Sequence, residues 1–123
     1  MIAGTVMMLS DDYGREKARE RAVKFATNKE VNAIARSQIS FKPVESADAT
    51  ASQAYTAVVN GRQCAALFTW KNGKQAVVLD CERAGLKTGV RYKELWTGKE
   101  LQDENGVLYW ETEGCDAALL QEV

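Results

Sequence analysis

The hydrophobic pattern changes period partway along the chain. Up to about residue 36 apolar positions recur at helical spacing. From about residue 53 they come in short runs separated by Gly and Asn. The densest run is 63–80, QCAALFTWKNGKQAVVLD, where Asn72-Gly73 separates two stretches rich in strand formers. An Asn-Gly pair suits a two-residue type I′ turn, because both central residues need positive φ. Counting outward pairs Trp70 with Gln75, Phe68 with Val77, Leu67 with Val78 and Ala66 with Leu79. One face would then carry Ala66, Phe68, Trp70, Val77 and Leu79, and the other Ala65, Leu67, Ala76 and Val78. Neither face is polar, which predicts a central strand pair covered on both sides. Phe68 and Leu79 are expected to be fully buried, with Phe68→Ala costing ~3–5 kcal/mol as a large-to-small core change.

The remaining elements fall in order around this pair. Residues 3–9, AGTVMML, form an apolar run without alternation, as a strand buried on both faces does. Ser10, Asp11 and Asp12 follow as helix N-caps. A helix is predicted over 14–26, with Ala18, Ala22, Phe25 and Ala26 on its apolar side and a charged, solvated face opposite. Thr27-Asn28-Lys29-Glu30 reads as a capping box opening a second, short helix that buries Val31, Ile34 and Ala35. Residues 38–52 hold the single proline, Pro43, and a small polar run, which is linker composition. Strands are predicted at 53–60, 63–70, 74–81, 89–96, 99–101, 106–112 and 115–121, punctuated by Asn60-Gly61, Gly85, Gly89, Gly98 and Asn105-Gly106. The expected fold is mainly β: an antiparallel β-sandwich over 47–123, preceded by a short helical N-terminal segment and linker over 1–46.

Composition narrows the chemistry. With 16 basic against 17 acidic residues, there is no electrostatic case for nucleic acid or an anionic membrane as a partner. No apolar run approaches the ~18 residues of a membrane helix. The opening MIAGTVMML lacks a basic stretch, so it is not expected to act as a signal peptide. Histidine is absent, which removes the commonest general base and zinc ligand. Cys64, Cys81 and Cys115 show no CxxC spacing, so neither a metal site nor a cofactor is expected. In the Asn72-Gly73 register, Cys64 faces Cys81 at a non-hydrogen-bonded site, close enough to bridge. The alternative is two buried, reduced cysteines acting as small hydrophobes, and it is the favoured one.

Two segments resemble a known family. LSDDYGREKARERAVKFATNKEVNAIA, with Thr27-Asn28-Lys29-Glu30-Val31-Asn32-Ala33-Ile34 at its centre, resembles the end of the catalytic barrel of the melibiase-type α-galactosidases, glycoside hydrolase families 27 and 36. Ala84-Gly85-Leu86 and Tyr92-Lys93-Glu94-Leu95-Trp96-Thr97-Gly98-Lys99 resemble the C-terminal β-sandwich that follows that barrel. The resemblance implies that 1–46 is the last barrel strand and its helices, and that 47–123 is the sandwich. It carries over no catalytic residue, since the family's paired carboxylates lie on earlier barrel strands. Ser10, Asp11 and Asp12 would lie at the barrel mouth, near substrate, although as adjacent residues they read first as caps.

Three readings of function follow. The first is a structural, non-catalytic C-terminal portion of an α-galactosidase-like glycosidase, whose parent enzyme would act on galactosides or other carbohydrates. The second is a carbohydrate-binding module that stacks sugar on Trp70, Trp96 or Trp110. Each of these tryptophans is otherwise a core or interface aromatic. An independent small enzyme is the third and least supported. The unpaired apolar segment 3–9 is expected to pair with a second copy into a homodimer.

Overall fold

The computed structural model describes residues 12–44 and 52–123. The predicted strand 3–9, its role in a homodimer, and Ser10 and Asp11 fall outside them. The described chain begins with α1 (Glu16–Arg21), which runs on as a π-helical turn over Ala22–Ala26, and α2 (Lys29–Arg36). Eight strands and one short helix follow: β1 (Lys42–Pro43), β2 (Ala54–Val59), β3 (Arg62–Thr69), β4 (Gln75–Asp80), α3 (Cys81–Ala84), β5 (Arg91–Glu94), β6 (Glu100–Gln102), β7 (Val107–Thr112) and β8 (Asp116–Glu122). All seven predicted strands form. The sheet also takes in Lys42–Pro43, ahead of the expected boundary, at an edge where a proline's missing N–H does no harm. No described helix is long and apolar enough to cross a membrane.

The strands form two antiparallel sheets, one of six in the order β1-β2-β3-β8-β5-β6 and one of two, β4-β7. Between them lies one core, built from Ala65 and Leu67 of β3, Leu120 of β8 and Tyr92 of β5 against Val77 and Leu79 of β4 and Leu108 of β7. The opposite face of the large sheet makes a second core. Cys64 and Ala66, with Val59 and Leu119, pack there against Val31 and Ile34 of α2 and against Phe41. Strand β3 is therefore apolar on both faces because helix covers one and sheet the other.

The pairing expected around Asn72-Gly73 does not form. β3 pairs with β2 and β8, and β4 pairs with β7, so the two runs belong to different layers. Residues 70–74 are the connection between sheets. Gly73 has φ +91°, while Asn72 is absent from the positive-φ residues. The Gln75 side chain reaches back to the Lys71 backbone, which then needs no partner strand. The same dipeptide does make tight turns elsewhere. Asn60-Gly61, at φ +51° and +77°, joins β2 to β3 with Val59 opposite Arg62. Asn105-Gly106, at +52° and +82°, closes the Glu104–Val107 bridge.

Two expectations change with the register. Cys64 lies opposite Ala57 and Gln121 in the helix-side core, whereas Cys81 opens α3 in the inter-sheet core. The six-stranded sheet separates them, no bridge forms, and Cys115 is free and exposed. Phe68 is only half-buried, stacked at 5.2 Å on Trp70 with Tyr55 edge-on at 5.8 Å. Leu79 is buried as expected, but the outer face of β4 is open, with Val78 59% exposed. Leu67, at 1% exposure, is the true core residue of this run. Leu67→Ala should cost ~2–5 kcal/mol and Phe68→Ala less, about 1–2 kcal/mol. Urea melts that reversed this order would place Phe68 in the core after all.

Candidate functional site

The two segments that carry the family resemblance meet in space. Asn28, rather than Thr27, caps α2: its Oδ1 accepts from the Val31 N–H at 3.0 Å. Its Nδ2 donates to the Leu95 carbonyl at 2.7 Å. Glu30 pairs with Lys93 at 2.7 Å, and Phe25 meets Trp96 edge-on at 6.4 Å. One asparagine thus satisfies a helix terminus and ties that helix to the turn after β5. Asn28→Ala should cost ~1–3 kcal/mol, and Asn28→Asp less, because it keeps the cap and loses only the donated bond. Equal losses in thermal melts would show that the bond donated to Leu95, and not the cap, carries the whole effect.

That turn is held from inside by Glu94, which is only 5% exposed. Its carboxylate accepts from Thr97 N and Oγ1, both at 2.7 Å, from Trp96 N at 3.2 Å and from Leu119 N at 3.3 Å. Gly98, at φ +76°, closes the loop with its N–H on the Glu94 carbonyl. Trp96 is therefore fixed in place, half-buried against the helix-side core. Its Nε1–H is buried and has no acceptor among the described residues.

A cleft of about 340 Å³ opens beside this turn. Phe25, Trp96 and Trp110 of β7 line it, with Glu111, Asp116 and Lys99 among the polar groups. The fold thus brings together two of the three tryptophans marked as stacking candidates. The third, Trp70, is 54% exposed but stands apart, one ring face covered by Phe68. Asp12, the one described member of the acidic loop, is exposed; it accepts from the Gly14 N–H at 3.1 Å and pairs with Arg15 at 3.2 Å. It serves the turn into α1. Sequence reading marked the tryptophans but missed Glu111 and Asp116 on strands and Lys99 in the turn before β6, all of which pass for ordinary solvent-facing positions. Among the described residues no group of three or more candidate metal ligands assembles.

A polar seam closes the opposite side of the molecule. The hydroxyl of Tyr92, whose ring is fully buried, lies 3.0 Å from both Gln63 Oε1 and the Lys87 carbonyl. Gln63 Nε2 donates in turn to the Gly85 carbonyl at 2.9 Å. Desolvation pushes the Tyr92 phenol up to about 12, helped by the neighbouring Cys81 and Glu122. Burial likewise raises the thiols of Cys64 and Cys81.

A six-stranded sheet sealed by helices on one face and a two-stranded sheet on the other defines a helix-backed antiparallel sandwich. No family model and no curated protein matches the sequence. Solved structures match it in fold, glycoside hydrolases among them. Against α-galactosidase I from Mortierella vinacea the TM-score is 0.68 at 12% identity, over 89% of this chain and 29% of that one. A family 27 β-L-arabinopyranosidase from Geobacillus stearothermophilus, solved with arabinose, gives 0.65 at 16% identity, over 81% and 23%. An α-amylase from Geobacillus thermoleovorans, solved with acarbose, gives 0.68 at 11% identity, over 94% and 25%. The chain spans about a quarter of the length of each. At these identities the likeness is one of fold, and enzymes acting on different sugars share it.

Proposed function

We propose that this chain is the C-terminal sandwich, with the end of the preceding barrel, of an α-galactosidase-like glycoside hydrolase, and that its role is structural. The observation that carries this reading is coverage: most of this chain, 81–94%, matches about a quarter of each glycosidase. The interlock of Asn28 and Glu30 with Leu95 and Lys93 supports it, because it joins the barrel-like helix to the sandwich. Glu94, the buried carboxylate at the cleft, is taken up by four hydrogen bonds that hold a turn, which favours a structural over a catalytic part for it. The purified chain should melt cooperatively and release no nitrophenolate from p-nitrophenyl α-D-galactopyranoside above the buffer blank. Turnover that co-purifies with the folded chain would overturn this reading.

A further inference from the structure

We infer that the cleft between Trp96 and Trp110 is a non-catalytic binding site for a neutral pyranose. This goes beyond the structural role and does not depend on it. The cleft's volume, about 340 Å³, lies at the small end of ligand pockets and suits one or two sugar rings.

Its walls offer what such a ring needs. Phe25 remains 44% exposed after folding, and Trp96 and Trp110 are only partly buried. Aromatic faces carry negative charge density and attract the slightly positive C–H groups on the apolar face of a pyranose. Trp96 is held by the Glu94 turn, so little side-chain freedom is lost on binding.

The polar groups select against an anionic ligand. Lys24 and Lys99 line the cleft together with the carboxylates of Glu94, Glu111 and Asp116, an excess of one negative charge. Glu94 adds no spare acceptor, since its oxygens are already engaged. Asp116 accepts from the Ala117 N–H at 2.8 Å and, more weakly, from Thr112 Oγ1 at 3.5 Å, which leaves lone pairs for hydroxyls. A phosphate or carboxylate ligand would meet more repulsion than attraction. A ring with one apolar face and several hydroxyls meets aromatic surface, donors and acceptors together.

The test is a fluorescence titration of the whole chain with methyl α-D-galactopyranoside and methyl α-D-glucopyranoside, with glycerol as the control polyol. A saturable change with at least one pyranoside and none with glycerol is expected. Trp110→Ala should weaken it by about tenfold and the surface change Glu111→Gln by about threefold, with Trp70→Phe leaving the affinity unchanged. Melting temperatures of Glu111→Gln and Trp70→Phe should match the parent, so that their titrations read the site and not the fold. No saturation with either sugar up to about 100 mM, an equal response to glycerol, or wild-type affinity in Glu111→Gln and Trp110→Ala would overturn the site. Binding without hydrolysis supports both proposals, hydrolysis removes only the structural one, and failure to bind removes only this one.

Discussion

Replacing Glu94 by alanine is expected to cost about 3–5 kcal/mol, enough to unfold a marginal domain. The side chain itself contributes little packing. The loss comes from what it leaves behind: the N–H groups of Trp96, Thr97 and Leu119 would lose their acceptor, Leu119 in a buried place and the other two in a part-buried one. Each such orphan costs about 1–3 kcal/mol. Glu94→Gln should fall between, because one amide oxygen replaces two acceptors and the NH₂ group faces other donors. Denaturant melts of the two variants are the measurement. A loss below about 1 kcal/mol for alanine would mean that water or a rotated backbone takes over the three donors.

Alkali is expected to destabilise the fold between about pH 9 and pH 12. The sign follows from the direction of the shifts. Tyr92, Cys64 and Cys81 are acids whose folded pKa values lie above their ordinary ones, since burial disfavours their charged forms. Their contribution is complete below the unfolded pKa values. It falls as the unfolded chain begins to lose protons that the folded chain retains. For Tyr92, raised from 10.0 to about 12, the linkage approaches about 3 kcal/mol by the upper end of the range. Urea melts at pH 7 and pH 11 should separate by that order of magnitude, and Tyr92→Phe should narrow the gap while costing about 1–2 kcal/mol at pH 7. A Tyr92→Phe protein with the parent's pH dependence would show that the phenol is not its source.

The second core links these effects to the cleft. Leu119 belongs to it, its N–H meets Glu94, and Trp96 packs against it. Anything that loosens the Glu94 turn therefore also frees the ring that forms one wall of the proposed sugar site.

Much of this molecule was legible from short-range pattern. The strand runs, the two N-terminal helices and the punctuating glycines follow from side-chain periodicity and from backbone angles that Asn-Gly pairs adopt readily. The turns at Asn60-Gly61 and Asn105-Gly106 are local in that sense, needing only a few residues to form. What the sequence could not determine was which strand lies beside which. Asn72-Gly73 carries the same turn preference, yet β3 finds its partner in β8, about fifty residues later, and β4 finds β7. Burying Leu67 between two sheets and Cys64 beneath a helix satisfies both apolar faces of β3, which a hairpin with β4 alone would leave to be covered by something else. The apolar outer face of β4 then misled, because Val78 is simply exposed. The cleft was hidden for the same reason. Trp96, Trp110 and Asp116 lie on separate elements, and only the layering of the sheets, set by long-range burial, brings their side chains around one space.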